Sequence, residues 1–142
     1  MVQKILMTLF VLLCLPVAAE RTIIRHADSS PVAPYSPGVL VEGTLYIAGH
    51  IGSDPKNHKV PESFSEEAKV AIEGIGKVLK DAKMDYSNVV NVTVYLTDLS
   101  RFEEMNEVYK RYFKTHLPAR ATVGVASLFG GARIEISAIA HK

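Results

Sequence analysis

Cysteine is nearly missing from this chain of 142 residues: Cys14 is the only one. A single thiol excludes a disulfide framework within the chain and leaves no thiolate set for a structural zinc site. The five histidines (His26, His50, His58, His116 and His141) show no metal-ligand spacing, so no metal is expected. An excess of charge of one sign is also missing, with 16 basic against 15 acidic residues and no basic run. Such a chain offers no general electrostatic attraction for nucleic acid, which is therefore not expected as a partner. No phosphate-cradling glycine loop is present, because Gly130-Gly131 lies between two apolar segments and not before a helix. Nor is there a serine nucleophile elbow. Asn91-Val92-Thr93 fits the N-glycosylation pattern but falls inside a strand-like run, where chance is the better explanation. Repeats and low-complexity segments are absent as well.

What is present begins with "MVQKILMTLFVLLCLPVAA": one lysine, an apolar run from Ile5 to Leu15, the helix breaker Pro16, then the small residues Val17-Ala18-Ala19. This pattern predicts a secretory signal peptide over residues 1–19, cut after Ala19; the alternative is an N-terminal membrane anchor. The apolar run is short for a membrane span. A lipoprotein is disfavoured, because Leu12-Leu13 precedes Cys14 where a small residue should stand. Residues 20–142 then form a single domain, long enough for an adequate core and exported to the periplasm or the medium. Cleavage removes Cys14 and Lys4, leaving no thiol and balanced charge. No membrane association is expected after cleavage.

Along the remainder, "RTIIR" reads as a short first strand and "ADSSPVAPYSPG" as irregular backbone. "VLVEGTLYIAG" is a hairpin around Glu42-Gly43. From Ser63 the period changes: Ala68, Ala71, Ile72, Ile75, Val78, Leu79 and Ala82 mark one helix face, with Ser63 and Glu66 as a capping box. "NVVNVTVYLTD" alternates, with Val90, Val92, Val94 and Leu96 on one face. A second helix is expected from Ser100, capped with Glu103, its apolar face being Phe102, Met105, Tyr109, Tyr112 and Phe113. "ATVGVAS" and "ARIEISAIAH" close the chain as two strands around "LFGGA". The order β-β-β-α-β-α-β-β implies an α+β fold: a mixed six-stranded sheet with both helices on one face. The other face still carries Val, Ile and Ala, so a subunit partner is expected to cover it.

Four polar residues stand where the pattern calls for apolar ones. Arg120 opens a strand read as buried, Glu135 lies between Ile134 and Ile136, and Asn106 sits on the second helix face beside Met105. Tyr35 occupies the proline-bracketed "APYSPG". A structural ion pair between Arg120 and Glu135 is one explanation; a binding site for a small anion is the other. Were the last two strands a hairpin, Arg120 would lie roughly 15 Å along from the residue opposite Glu135. That strain favours a cleft, another strand order or an interface.

These residues together resemble the Rid (YjgF-like, reactive intermediate deaminase) family. The resemblance is carried by "PAR" before a β-branched strand, "ARIEISAIA", "APY", "YIAGHIG" and "NVTVYLTDLSRFEEMNEVY", and runs from about Ile24 to the C-terminus. It implies a chorismate-mutase-like fold, a homotrimer with three clefts between subunits, and a last strand inserted away from the hairpin position. It implies hydrolysis of 2-imino and 2-enamine acids to 2-keto acids and ammonia, without metal or cofactor. The family's carboxylate-clamping arginine falls on Arg120 and its water-positioning glutamate on Glu135. Its cleft tyrosine falls on Tyr35, its backbone-contributing glycine on Gly49 and its helix asparagine on Asn106. Thr122 lines the same cleft where many relatives carry cysteine. His50, Phe129 and Ser137 also depart from the usual glutamine, proline and acidic residue, which bears on the substrate side chain. A nuclease activity attributed to some relatives is disfavoured by the neutral charge.

Overall fold

Apolar alternation and the 3.6-residue period place the elements. The computed structural model describes residues 19–26, 32–54, 57 and 59–142. Apart from Ala19, the expected signal peptide lies outside the described residues, as do Cys14 and His58. Six strands form: β1 (Arg21–Ile24), β2 (Gly38–Val41), β3 (Thr44–Ile51), β4 (Val89–Leu96), β5 (Ala119–Gly124) and β6 (Ile134–His141). Two helices join them, α1 (Phe64–Asp81) after β3 and α2 (Phe102–Tyr109) after β4. This is the expected element order. The sheet runs β1-β2-β3-β6-β4-β5, with β4 and β5 parallel and every other pair antiparallel.

The β2–β3 hairpin turns on Glu42 and Gly43, both at positive φ (46° and 78°), as a two-residue turn of matching twist requires. In α1 the whole expected apolar face is buried. Ser63 caps it by accepting from the Glu66 amide, the half of the capping box that supports the helix start. At α2 the structure corrects the expected boundary. Asp98, not Ser100, is the capping residue: it accepts from the Ser100 amide and opens a 3-10 turn over Leu99–Arg101 before α2 starts. Asp98 stands two residues before Ser100 and serves the Ser100 amide of the 3-10 turn, while α2 itself opens at Arg101 with no side-chain cap, so the expected Ser100–Glu103 box does not start the helix. Val108 joins Met105 and Tyr109 in the buried face, while Tyr112 and Phe113 lie past the helix end.

The last strand does not pair with its chain neighbour. β6 inserts between β3 and β4, leaving β5 at the sheet edge. Ile134, Ile136, Ala138 and Ala140 of β6 face the core beneath the helices. Val89 stands opposite Ala140 and Asn91 opposite Ile139, so Val90 is the extra residue of a bulge and is exposed. The expected core position of Val90 passes to Val89, because a bulge shifts the alternation by one. On the opposite sheet face Ile23, Val39, Tyr46 and Ile139 stand side by side across four strands. Ile23 and Tyr46 are 41% and 52% exposed there.

Candidate active site

β5 is an exposed edge, not the buried strand expected from its apolar composition. Its pairing to β4 puts Arg120 beside Val92 and Thr122 beside Val94, so both point to the side where the helices pack. There the Arg120 guanidinium carbon lies 4.6 Å from the centre of the Tyr109 ring and 5.6 Å from that of Phe102. Both rings come from α2, and half-buried Asn106 lies between them in sequence on the same helical face. Burial pushes the Tyr109 phenol up to about 12, although the Arg120 charge opposes that shift. Among the described residues no carboxylate pairs with Arg120.

Glu135 belongs to the other face. It alternates with core residues Ile134 and Ile136, stands level with Ile51 and Tyr95, and is half-buried. The β3–β6 register slips between Ile47 and His50, so Ala48 and Gly49 together oppose Ser137. This bulge brings Gly49 under the Glu135 carboxyl: a Cβ on Gly49 would sit 1.8 Å from Glu135 Oε1. Only a residue without a side chain leaves the carboxyl where it is. Tyr35 lies in the loop before β2 and is 60% exposed.

The sequence-selected residues thus form two groups. Arg120, Thr122 and Asn106 share the α2 side of the edge strand, whereas Glu135 and Gly49 share the open face. Three residues along the strands and two strands across separate Arg120 from Glu135, about 14 Å between backbones, on opposite faces. A direct ion pair between them within one chain is out of reach.

A structural ion pair does exist, between residues the sequence reading passed over. Glu67 of α1 is fully buried and accepts from Arg133 Nε and the Arg133 amide, both at 2.6 Å, and from the Ile134 amide at 3.3 Å. Arg133 also donates to the carbonyls of Pro61 and Glu62. This cluster pins the entry of β6, and so Glu135, to the first turn of α1. The signal was legible: Glu67 occupies the apolar stripe, three residues after Phe64 and four before Ala71.

His50 points to the helix side, where a Cβ on Gly74 would meet its ring at 2.6 Å. Its Nδ1–H donates to the Ala48 carbonyl at 2.8 Å. Burial holds its pKa below the usual histidine value, with the charges of His26 and Lys77 acting in the same direction. Among the described residues no group of three or more acidic, histidine or cysteine side chains could hold a metal, and no helix is long and apolar enough to cross a membrane.

Known proteins give the same picture of the chain. The profile of the endoribonuclease L-PSP family matches residues 26–142. The human protein 2-iminobutanoate/2-iminopropanoate deaminase is 49% identical over 122 residues, covering 85% of this chain and 89% of the relative. The crystal structure of RidA from the Antarctic bacterium Psychrobacter sp. superimposes with a TM-score of 0.80 at 35% identity, covering 85% of this chain and 99% of that one. The structure of E. coli TdcF with bound serine gives 0.79 at 30% identity, covering 85% and 98%. With strand order, helix placement and sequence all in agreement over most of its length, the chain belongs to the endoribonuclease L-PSP family, the YjgF/RidA group.

Proposed function

We propose that the chain is a deaminase of 2-imino and 2-enamine acids of the iminobutanoate and iminopropanoate class, yielding 2-keto acids and ammonia. The observation that carries this reading is Arg120. It is a forked cation on an exposed strand edge, held over two rings and supplied with no internal carboxylate among the described residues. Such a group suits the carboxylate of a ligand. The relative with bound serine holds a ligand with that carboxylate, and the human relative is named for imino acids of this size.

The chemistry asks little beyond placement. A protonated imine is already electrophilic at carbon, so the reaction needs no electron sink. Arg120 fixes the substrate by its carboxylate. Glu135 takes a proton from water as the oxygen bonds to the imine carbon, giving a carbinolamine. Glu135 returns its proton to the nitrogen, the C–N bond breaks and ammonia leaves, and the hydroxyl proton passes back to the Glu135 carboxylate as the carbonyl of the keto acid forms. Tyr35, Gly49, Asn106 and Thr122 line the cleft in this reading.

One chain holds Arg120 and Glu135 on opposite faces, so the complete site requires a second copy. A homotrimer supplies it, with the apolar row from Ile23 to Ile139 and the open β5 edge as the surfaces that neighbours cover. Residues 1–19 act as an export signal in the same proposal; intact mass of the secreted protein should then begin at Glu20, and retention of Cys14 would refute it.

Turnover tests the reading. Imines generated in solution by an amino-acid oxidase should be hydrolysed faster with the wild-type protein. Arg120→Ala should lose about 30-fold or more in kcat/KM, the cost of a charge-assisted bidentate contact. Arg120→Lys should fail nearly as badly. Glu135→Gln should bind 2-keto acid yet lose turnover. Binding without turnover in the wild type would make the chain a carboxylate-binding trimer instead.

A further inference from the structure

We infer that Phe102 and Tyr109 form an aromatic shelf that sets the direction of the Arg120 guanidinium, making Tyr109 a positioning residue for substrate binding. The inference rests on Arg120 being the carboxylate clamp. A long arginine on an exposed strand edge otherwise samples many rotamers, and ordering it on binding weakens affinity. Here both rings lie within the distance at which a cation is attracted to a ring face. Contact through the flat face of a guanidinium leaves its N–H edge available to grip a carboxylate.

The shelf is braced from behind. Tyr109 stacks on Phe113, centroids 4.2 Å apart and planes 22° from parallel. Phe113 meets Tyr86 edge-on at 5.4 Å. The Tyr86 hydroxyl in turn donates to the Ile72 carbonyl of α1 at 3.0 Å. A continuous row of rings therefore links the α1 backbone to Arg120, while β5 itself is exposed on nearly every residue. Among the described residues the buried Tyr109 hydroxyl has no hydrogen-bond partner. An unmade hydrogen bond destabilises the fold, so it is the ring, and not the hydroxyl, that earns this position.

The test compares full-length wild type with Tyr109→Leu, Tyr109→Phe, Phe102→Leu and Arg120→Ala. Binding of 2-ketobutanoate and of its carboxamide is measured, together with kcat and KM for the imine. Tyr109→Leu and Phe102→Leu should each weaken 2-ketobutanoate binding and raise KM by about 5- to 30-fold, the value of a partly shielded cation–ring contact. The drop in kcat should be much smaller. Tyr109→Phe keeps the ring and should restore affinity. The carboxamide, which gives Arg120 no anion to grip, should bind these variants as it binds wild type. Unchanged 2-ketobutanoate affinity in Tyr109→Leu, with binding lost in Arg120→Ala, would overturn the shelf and leave the clamp standing. Retained binding in Arg120→Ala would instead remove the clamp, and the shelf with it. Equal weakening of acid and amide would mark the rings as merely structural and overturn the proposal. Should Tyr109→Leu fail to fold, Phe102→Leu, at a half-buried position, carries the same comparison.

Discussion

Replacing Glu67 by alanine should be among the most damaging single changes in this protein. The carboxylate is fully buried and serves three N–H donors: Arg133 Nε, the Arg133 amide and the Ile134 amide. Removing one partner of a buried pair commonly costs about 3–5 kcal/mol, because the other charge stays behind unpaired. The Arg133 side chain is 29% exposed, so water relieves part of that cost and the lower end, about 3 kcal/mol, applies. For a chain of this size that corresponds to a fall in Tm of roughly 10–15 °C at fixed protein concentration. Urea melts and calorimetry on Glu67→Ala, Arg133→Met and the double variant Glu67→Ala/Arg133→Met supply the assay. The double variant should cost about as much as either single change, a coupling above about 1.5 kcal/mol. Two outcomes refute the reasoning: a Glu67→Ala loss below about 1 kcal/mol, or single costs that simply add. The cluster lies two residues before Glu135, so surviving Glu67→Ala protein should also turn over more slowly.

Gly49→Ala should fold, because the clashing atoms are the movable end of Glu135, yet displace the carboxyl 1.8 Å from the new Cβ and lower kcat at least about tenfold; unchanged kcat would detach Glu135 from catalysis. The lowered pKa of His50 means its neutral form is favoured on folding. Its contribution is complete above the unfolded value near 6.5 and lost as pH falls through the depressed folded value. The slope is at most about 1.4 kcal/mol per pH unit. Thermal melts between about pH 7.5 and 5 should therefore fall less steeply in His50→Gln than in wild type, and parallel curves would refute this.

Period and alternation made much of the fold legible. The buried face of α1 followed its spacing of three and four, and β6 kept strict alternation from Ile134 to Ala140. What those patterns do not encode is neighbour choice. Composition could not show that β6 inserts between β3 and β4, which leaves apolar β5 exposed at the edge and puts Arg120 on the helix side. Bulges also hide from alternation: Val90 reads as core until the register slips around it. Arg120, Glu135, Gly49, Asn106 and Thr122 were legible as candidates because polar or side-chain-free positions interrupt apolar runs or match the family motif. Their division between two faces was not, since it depends on long-range strand order. Glu67 was missed for the opposite reason, a carboxylate inside a helix stripe otherwise explained by its apolar neighbours.

The central claim is that one working site takes Arg120 from one subunit and Glu135 from another. Co-expressing Arg120→Ala and Glu135→Ala chains, each inactive alone, tests it directly. In randomly mixed trimers with equal subunits, about one quarter of the clefts would pair an intact arginine with an intact glutamate. Deaminase activity of the mixed, purified trimers should therefore recover to about a quarter of wild type. Mixed trimers no more active than the two parent variants would contradict the shared site.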